Sequence, residues 1–340
     1  MKAAMVQPDG KMKVEECPTP RVGPGEVLIR VAYCGICGSD LHMADIGIFP
    51  PGCIIGHEMS GYVADVGEGV QGWKEGDRAV VLPMDPCLAC EPCRRGDIQV
   101  CGEAITRGYG LGVKPGGFGQ YMLVRPGMLY PVPADMDMML AALNEPWAVA
   151  VRGVNLSSMR VGDLAVVMGA GPIGLLSVYA LKIAGAVGIY VSEPDPFRAE
   201  KARATGVDGV FDPKEVVVAE EVRKAAGGDP DVVIDCAGTE NSIEEAAGIV
   251  KAHGRVVALG VHMGNVALFP MNWFMKEIGL RFSLGYSLRE FESSLAQLAR
   301  GAVDLDVVVS DVVPLDRIAE AFESLHAPGH TKVLIDCQAA

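Results

Sequence analysis

The run LAVVMGAGPIGLLSVYAL, Leu164–Leu181, carries no charged side chain over 18 residues. That length approaches a membrane span, but Gly169-Ala170-Gly171-Pro172-Ile173-Gly174 falls in its middle. A short apolar run, a glycine turn and an apolar helical run read instead as a buried strand, a tight turn and a buried helix. In that setting G-x-G-x-x-G is a dinucleotide fingerprint. Gly169 makes the turn, Gly171 lets backbone approach a pyrophosphate, and Gly174 lets helix pack on strand. Pro172 and Ile173 open the helix, whose unpaired N–H groups and dipole face the phosphates. Glu193 stands 24 residues after Gly169, at the end of the next strand. A carboxylate there accepts the adenosine ribose hydroxyls and repels a 2′-phosphate. The expected cofactor is therefore NAD. Arg198, five residues further, stands within reach of a phosphate.

Beyond this turn, Gly188–Val191, Gly209–Phe211, Asp231–Asp235, Arg255–Leu259 and Leu280–Leu284 are short apolar runs. Helix-period segments separate them, among them Pro196–Ala204, Glu215–Ala226 and Ser242–Val250. Such alternation predicts an α/β unit with a doubly wound parallel sheet. Leu288–Ala299 and Leu315–Leu325 then read as amphipathic helices, and Lys332–Asp336 as a last strand. Residues 1 to about 147 are β-rich, with short runs such as Val27–Val31, Gly61–Val66 and Arg78–Val81 between Gly/Pro turns. Gly116–Tyr121 marks one more turn into a strand.

The chain of 340 residues suits two domains, each with its own core. A net charge of −14 argues against nucleic acid and anionic membrane as partners. The N-terminal MKAAMVQPDGKMKVEE has no apolar core followed by a cleavage site, so a cytoplasmic protein is expected. No internal repeat stands out.

Ten cysteines in such a compartment point to metal before disulfide. Cys87, Cys90, Cys93 and Cys101 form C-x2-C-x2-C-x7-C. Four thiolates from one short loop can close a tetrahedral shell, as a structural zinc requires. An iron–sulfur cluster would favour a three-residue final gap followed by proline, and a disulfide pair is the other rival. A second group lies in Cys34–Gly67: a thiol, Cys37; a hydroxyl, Ser39; and two imidazoles, His42 and His57, with Glu58 directly after the second. S, N and O donors of these kinds suit a zinc with an open position, and a hydroxyl and imidazole beside it suit proton transfer to solvent. Cys37 or His57 alone would pass for a buried core residue. Gly35, Gly38, Gly56 and Gly61 allow turns that crowd the set around one point.

With GICGSDLH followed by GHExxGxxxxxG, the chain resembles the zinc-dependent alcohol dehydrogenases of the medium-chain dehydrogenase/reductase superfamily. The resemblance implies that Cys37 and His57 bind the catalytic zinc. It implies that Ser39 and His42 relay the proton, and that Glu58 sits beside the metal and in some members ligates it. It implies a structural zinc on the four cysteines, Gly96 included in the motif, and a GroES-like catalytic domain rejoined by the C-terminal segment. The implied bounds are 1–148 and 288–340 for that domain and 149–287 for the Rossmann domain. Arg198 is implied to lie along the adenine. Leu259, Gly260 and Val261, with Ser283 and Tyr286, are implied at the nicotinamide end.

Many alcohol dehydrogenases carry a further cysteine before the cofactor domain, and none occurs here between Cys101 and Cys236. Asn144-Glu145-Pro146-Trp147-Ala148 stands there instead, similar to the sorbitol, threonine and butanediol dehydrogenases. In them the glutamate matching Glu145 lies at the zinc, directly or through water. In isolation Glu145 would be a carboxylate at a helix start. Trp147, where leucine is usual, is expected to narrow the substrate pocket. The short connection from His42 to His57 is a second departure, in the pocket wall. The implied enzyme oxidises a secondary alcohol, a diol, polyol or hydroxy amino acid, to a ketone with NAD, as a homodimer or homotetramer. The rivals are a non-catalytic NAD(P)H-binding zinc protein and a structural zinc scaffold.

Overall fold

The computed structural model describes residues 1–339. Strands β1 (Lys2–Val6) and β2 (Met12–Glu16) pair as an antiparallel hairpin. β3 (Val27–Gly35), β4 (Glu58–Val66), β5 (Arg78–Val81), β6 (Tyr121–Val124) and β7 (Leu129–Pro131) build an antiparallel sheet. β3 is its spine. It is buried along almost its whole length, which is why it lacks the in–out alternation of a half-exposed strand.

The glycine turn then opens the second unit. β8 (Leu164–Met168), β9 (Gly188–Ser192), β10 (Gly209–Phe211), β11 (Val232–Asp235), β12 (Arg255–Ala258) and β13 (Gly279–Phe282) form one parallel sheet in the order β10-β9-β8-β11-β12-β13. The order reverses between β8 and β11, and ligands of doubly wound sheets bind outside the strand ends at that point. β14 (Val309–Pro314) and β15 (Lys332–Asp336) return to the first sheet, where β15 pairs with β3. The chain is thus the expected α/β combination of a β-rich unit and a doubly wound unit, the first completed by the C-terminal segment.

Several elements differ from expectation. The sixth strand of the parallel sheet is Gly279–Phe282, and Leu315–Leu325 divides into a 3-10 turn, Leu315–Arg317, and a helix, Ile318–Ser324. Helix Pro270–Lys276 and strand β14 fall outside the elements expected from the sequence. That helix has no buried residue and exposes Met271, Phe274 and Met275, so it offers none of the core-facing periodicity that marks a helix. Helix Asn144–Leu156 runs across the expected boundary at 148/149. It packs on helix Pro172–Ala184 and on helix Leu288–Leu298, tying the two units together. No helix among the described residues is long and apolar enough to cross a membrane.

Candidate active site and metal centres

Cys37 is the N-cap of helix Gly38–Asp45, and its N–H donates to Asp40 Oδ2 at 3.1 Å. Three residues apart on that helix, half-buried Ser39 and exposed His42 share a face, as a path from the site to solvent requires. His57 enters on the segment leading into β4. Ligand atoms of Cys37, His57 and Glu58 all lie within 4.8 Å of one another. His57 Nδ1 stands 3.3 Å from Asp40 Oδ1, an ion-pair distance without hydrogen-bond alignment. That contact leaves the other ring nitrogen for a metal, and a carboxylate behind a ligating imidazole is the usual support. Burial disfavours the charged ring, but Asp40 and then Cys37 outweigh it and hold the His57 pKa well above its ordinary value.

Glu58 is committed to a partner invisible to sequence reading. Both carboxylate oxygens accept from Lys332 Nζ at 2.7 Å, and Lys332 also donates to the Ile36 carbonyl at 2.8 Å. Lys332 is 2% exposed and Glu58 0%. Burial alone would lower the lysine's pKa, yet Glu58 and then Cys37 keep it raised. The carboxylate thus sits beside the metal donors with its charge already matched. A Cβ on Gly35 would stand 2.0 Å from Glu58 Oε2, so only glycine leaves room for this pair.

Glu145 lies in the first turn of helix Asn144–Leu156. It keeps some accessible surface but is otherwise enclosed by protein. Burial raises its pKa to about 7, with His57 acting against the rise and Glu58 adding to it. Its neighbours in the chain fix it from both sides. Asn144 Nδ2 donates to the Phe291 carbonyl at 3.3 Å, and Trp147 Nε1 donates to Gln297 Oε1 at 2.9 Å. Trp147 is fully buried. The expectation that it narrows the pocket is therefore corrected: it pins one helix to another. Tyr286 is corrected as well. Expected at the nicotinamide end, it is 0% exposed, stacks on Phe291 at 5.3 Å, and has its hydroxyl beside Glu145.

The four-cysteine loop is assembled as a second centre. Its sulfurs lie within 4.8 Å of one another, and Cys87 and Cys93 Sγ are 3.9 Å apart. Thiolates on a tetrahedral zinc stand about 3.8 Å apart, so the spacing fits. The N–H groups of Ala89 and Cys90 donate to Cys87 Sγ, and that of Cys87 donates to Cys101 Sγ. These donors lower the pKa of Cys87, and that of Cys101 to about 6, whereas burial pushes Cys93 up to about 12. None of the ten cysteines is in a disulfide.

The dinucleotide turn has the shape its glycines imply. Gly169 has φ +87, a Cβ on Gly174 would stand 1.9 Å from the Gly169 carbonyl oxygen, and the space beside Gly171 is open. That open space at the start of helix Pro172–Ala184 fits a pyrophosphate. Glu193 closes the turn from below. Its Oε2 accepts from Ala170 N at 2.6 Å and its Oε1 from Asp195 N at 2.8 Å. Arg198 points elsewhere than expected, since its Nε donates to the His330 carbonyl at 3.0 Å. At the far end of the sheet, Leu259 packs against Gly153, Gly260 lies on Gly238, Val261 is exposed, and the buried Ser283 Oγ has no partner.

A doubly wound dinucleotide unit, a closed four-thiolate centre and an S/N/O donor set in one chain define a metal- and dinucleotide-dependent oxidoreductase. Sequence comparison bears this out. Residues 23–134 match the alcohol dehydrogenase GroES-like domain and residues 172–300 the zinc-binding dehydrogenase domain. The chain is 35% identical to 2-dehydro-3-deoxy-L-galactonate 5-dehydrogenase of Pseudoalteromonas atlantica, over 93% of this chain and 92% of that one. It is 34% identical to (R,R)-butanediol dehydrogenase of Bacillus subtilis, over 94% of each. A zinc-binding dehydrogenase from Sinorhizobium meliloti, solved with NADP, superposes with a TM-score of 0.91 at 30% identity, covering 98% of each chain. The chain belongs to the zinc-dependent medium-chain alcohol dehydrogenase family. It interconverts an alcohol and a ketone with a nicotinamide dinucleotide. The non-catalytic rival draws no support from these relatives.

Proposed function

We propose that the chain oxidises a secondary alcohol of a polyol, diol or hydroxy acid with NAD. The site would be formed by Cys37, His57 and Glu145, with Glu58 beside them. The observation that carries this reading is the meeting of Cys37, His57 and Glu58 within 4.8 Å, from segments about 20 residues apart. When bound, zinc supplies a Lewis acid and the dinucleotide a hydride acceptor. Cys37 and His57 would hold the metal, and Asp40, 3.3 Å from His57 Nδ1, orients the ring. Glu145, within electrostatic reach of His57 and Glu58, would complete the donor set. Lys332 balances the charge of Glu58, so that the site does not carry two uncompensated carboxylates. Ser39 takes the proton lost by the alcohol and His42 passes it to solvent. Glu193 favours NAD by occupying the place a 2′-phosphate would need.

The relatives act on a sugar acid and on a diol by name, which supports a substrate with neighbouring hydroxyl groups. A homo-oligomer paired through β13 and a cytoplasmic location complete the reading. The test is a panel of polyols, diols, sugar acids and threonine followed at 340 nm with NAD and NADP, alongside zinc analysis of wild type and Cys37→Ser. Turnover of one of these classes with NAD, lost in the variant together with one zinc, supports it. A zinc-replete wild type that turns over none of them overturns it.

A further inference from the structure

We infer that His262 binds the second ribose of the dinucleotide, the one on the nicotinamide side, by accepting a hydrogen bond from one of its hydroxyls. The inference rests on the dinucleotide reading above and assigns a side chain which that reading leaves unused.

Asp235, at the carboxyl end of β11, is completely buried. Its Oδ1 accepts from Ala237 N at 3.0 Å and from Gly238 N at 3.3 Å; its Oδ2 accepts from Ser242 Oγ at 2.8 Å. His262, just past β12, places Nε2 at 3.1 Å from the same Oδ2. A carboxylate that only accepts makes Nε2 the protonated nitrogen. In the neutral ring Nδ1 is then a lone-pair acceptor. It is buried, it has no partner, and the side chain is only 8% exposed. A buried ring nitrogen left unpaired is costly, so a donor from outside the chain is the natural complement.

The same imidazole lines a cavity of about 380 Å³ with Gly238, Glu240 and Met263–Val266. Gly238 in its lining is packed tightly from behind, since a Cβ on Gly260 would stand 2.4 Å from Gly238 N. Sheet order says which part of the cofactor arrives here. Glu193 ends β9, the glycine turn ends β8, and the next strands are β11 and β12. A dinucleotide with its adenosine ribose at Glu193 and its pyrophosphate on the turn extends its other ribose over β11 and β12. Glu240 in the cavity wall would repel a phosphate but not a hydroxyl, in keeping with an uncharged donor.

The test is equilibrium binding to the zinc-loaded protein, followed by fluorescence, with NADH, ADP-ribose and AMP as probes. AMP lacks the second ribose and ADP-ribose lacks only the nicotinamide. His262→Ala should weaken NADH and ADP-ribose roughly five- to tenfold and leave AMP unchanged, and His262→Gln, which keeps an acceptor, should restore most of the loss. Unchanged ADP-ribose binding in His262→Ala overturns the assignment. So does an equal loss for all three probes, which would mark a merely structural residue. A wild type that binds none of the probes overturns the dinucleotide reading itself and this assignment with it.

Discussion

Lys332 shows how a single side chain decides the electrostatics of this site. A lysine at 2% exposure is costly unless paired, and its pairing with Glu58 at 2.7 Å is what lets both stay inside. Removing one partner strands the other. Lys332→Met is expected to lower the unfolding free energy by about 3–5 kcal/mol, measured by urea titration of the zinc-loaded protein. A loss well below 1 kcal/mol would mean the pair is not buried in solution. His57 yields a pH prediction. In the metal-free site Asp40 holds its pKa well above the ordinary value, so protons compete with zinc for the ring more strongly as pH falls. One zinc per chain should leave on acidification against a chelator, with activity leaving in parallel. The four-thiolate centre, whose Cys87 and Cys101 favour the thiolate, should hold its metal to lower pH. If the first zinc released left activity intact, the two centres would have been assigned the wrong way round.

At the scale of elements, the glycine turn and Glu193 form one device. Glu193 holds the N–H of Ala170 and, in the function proposed above, also meets the adenosine ribose. Glu193→Ser should therefore do two things: shift the kcat/KM ratio from NAD toward NADP, and weaken both cofactors by loosening the turn. A variant with an unchanged ratio would remove Glu193 as the selector. Gly174→Ala puts a methyl 1.9 Å from the Gly169 oxygen, and that atom is backbone, not a movable side chain. The helix must then shift off the turn, and NADH binding should fall by about tenfold or more while the four-thiolate zinc is retained. Native-like affinity in this variant would show that the turn relaxes without cost.

For the whole molecule, the edge of the parallel sheet is the conspicuous surface. β13 has one neighbour, β12; its Phe282 and the following Leu284 are 66% and 55% exposed, and Phe274 and Met275 of the helix that leads into it are 75% and 71% exposed. An apolar edge strand of this kind invites uncontrolled pairing unless something covers it. A second copy of the chain, its β13 laid against the first, is expected to do so. Light scattering should report at least a dimer of the 35.8 kDa chain, and Phe282→Asp should shift it toward monomer. A wild type that is monomeric at micromolar concentration rules the pairing out.

What the sequence determined by itself is what is encoded over short distances. The G-x-G-x-x-G turn, the strand–helix alternation after it and the C-x2-C-x2-C-x7-C loop each lie within a few tens of residues, and backbone sterics or ligand spacing reads them directly. Cys37 and His57 belong to the same class, with glycines close by in the chain and their ligand atoms within 4.8 Å of each other. The fold decided whatever depends on contacts across the chain. Glu58 meets Lys332 across 274 residues, Trp147 meets Gln297 across 150, and Tyr286 turns from the cofactor cleft to Glu145. Asp40 carried a local signal, three residues after a candidate ligand, yet only the turn of the chain into β4 brings His57 to it. Local pattern specifies which elements form. Which side chains meet between them follows from packing, because burial removes every alternative partner that water would supply.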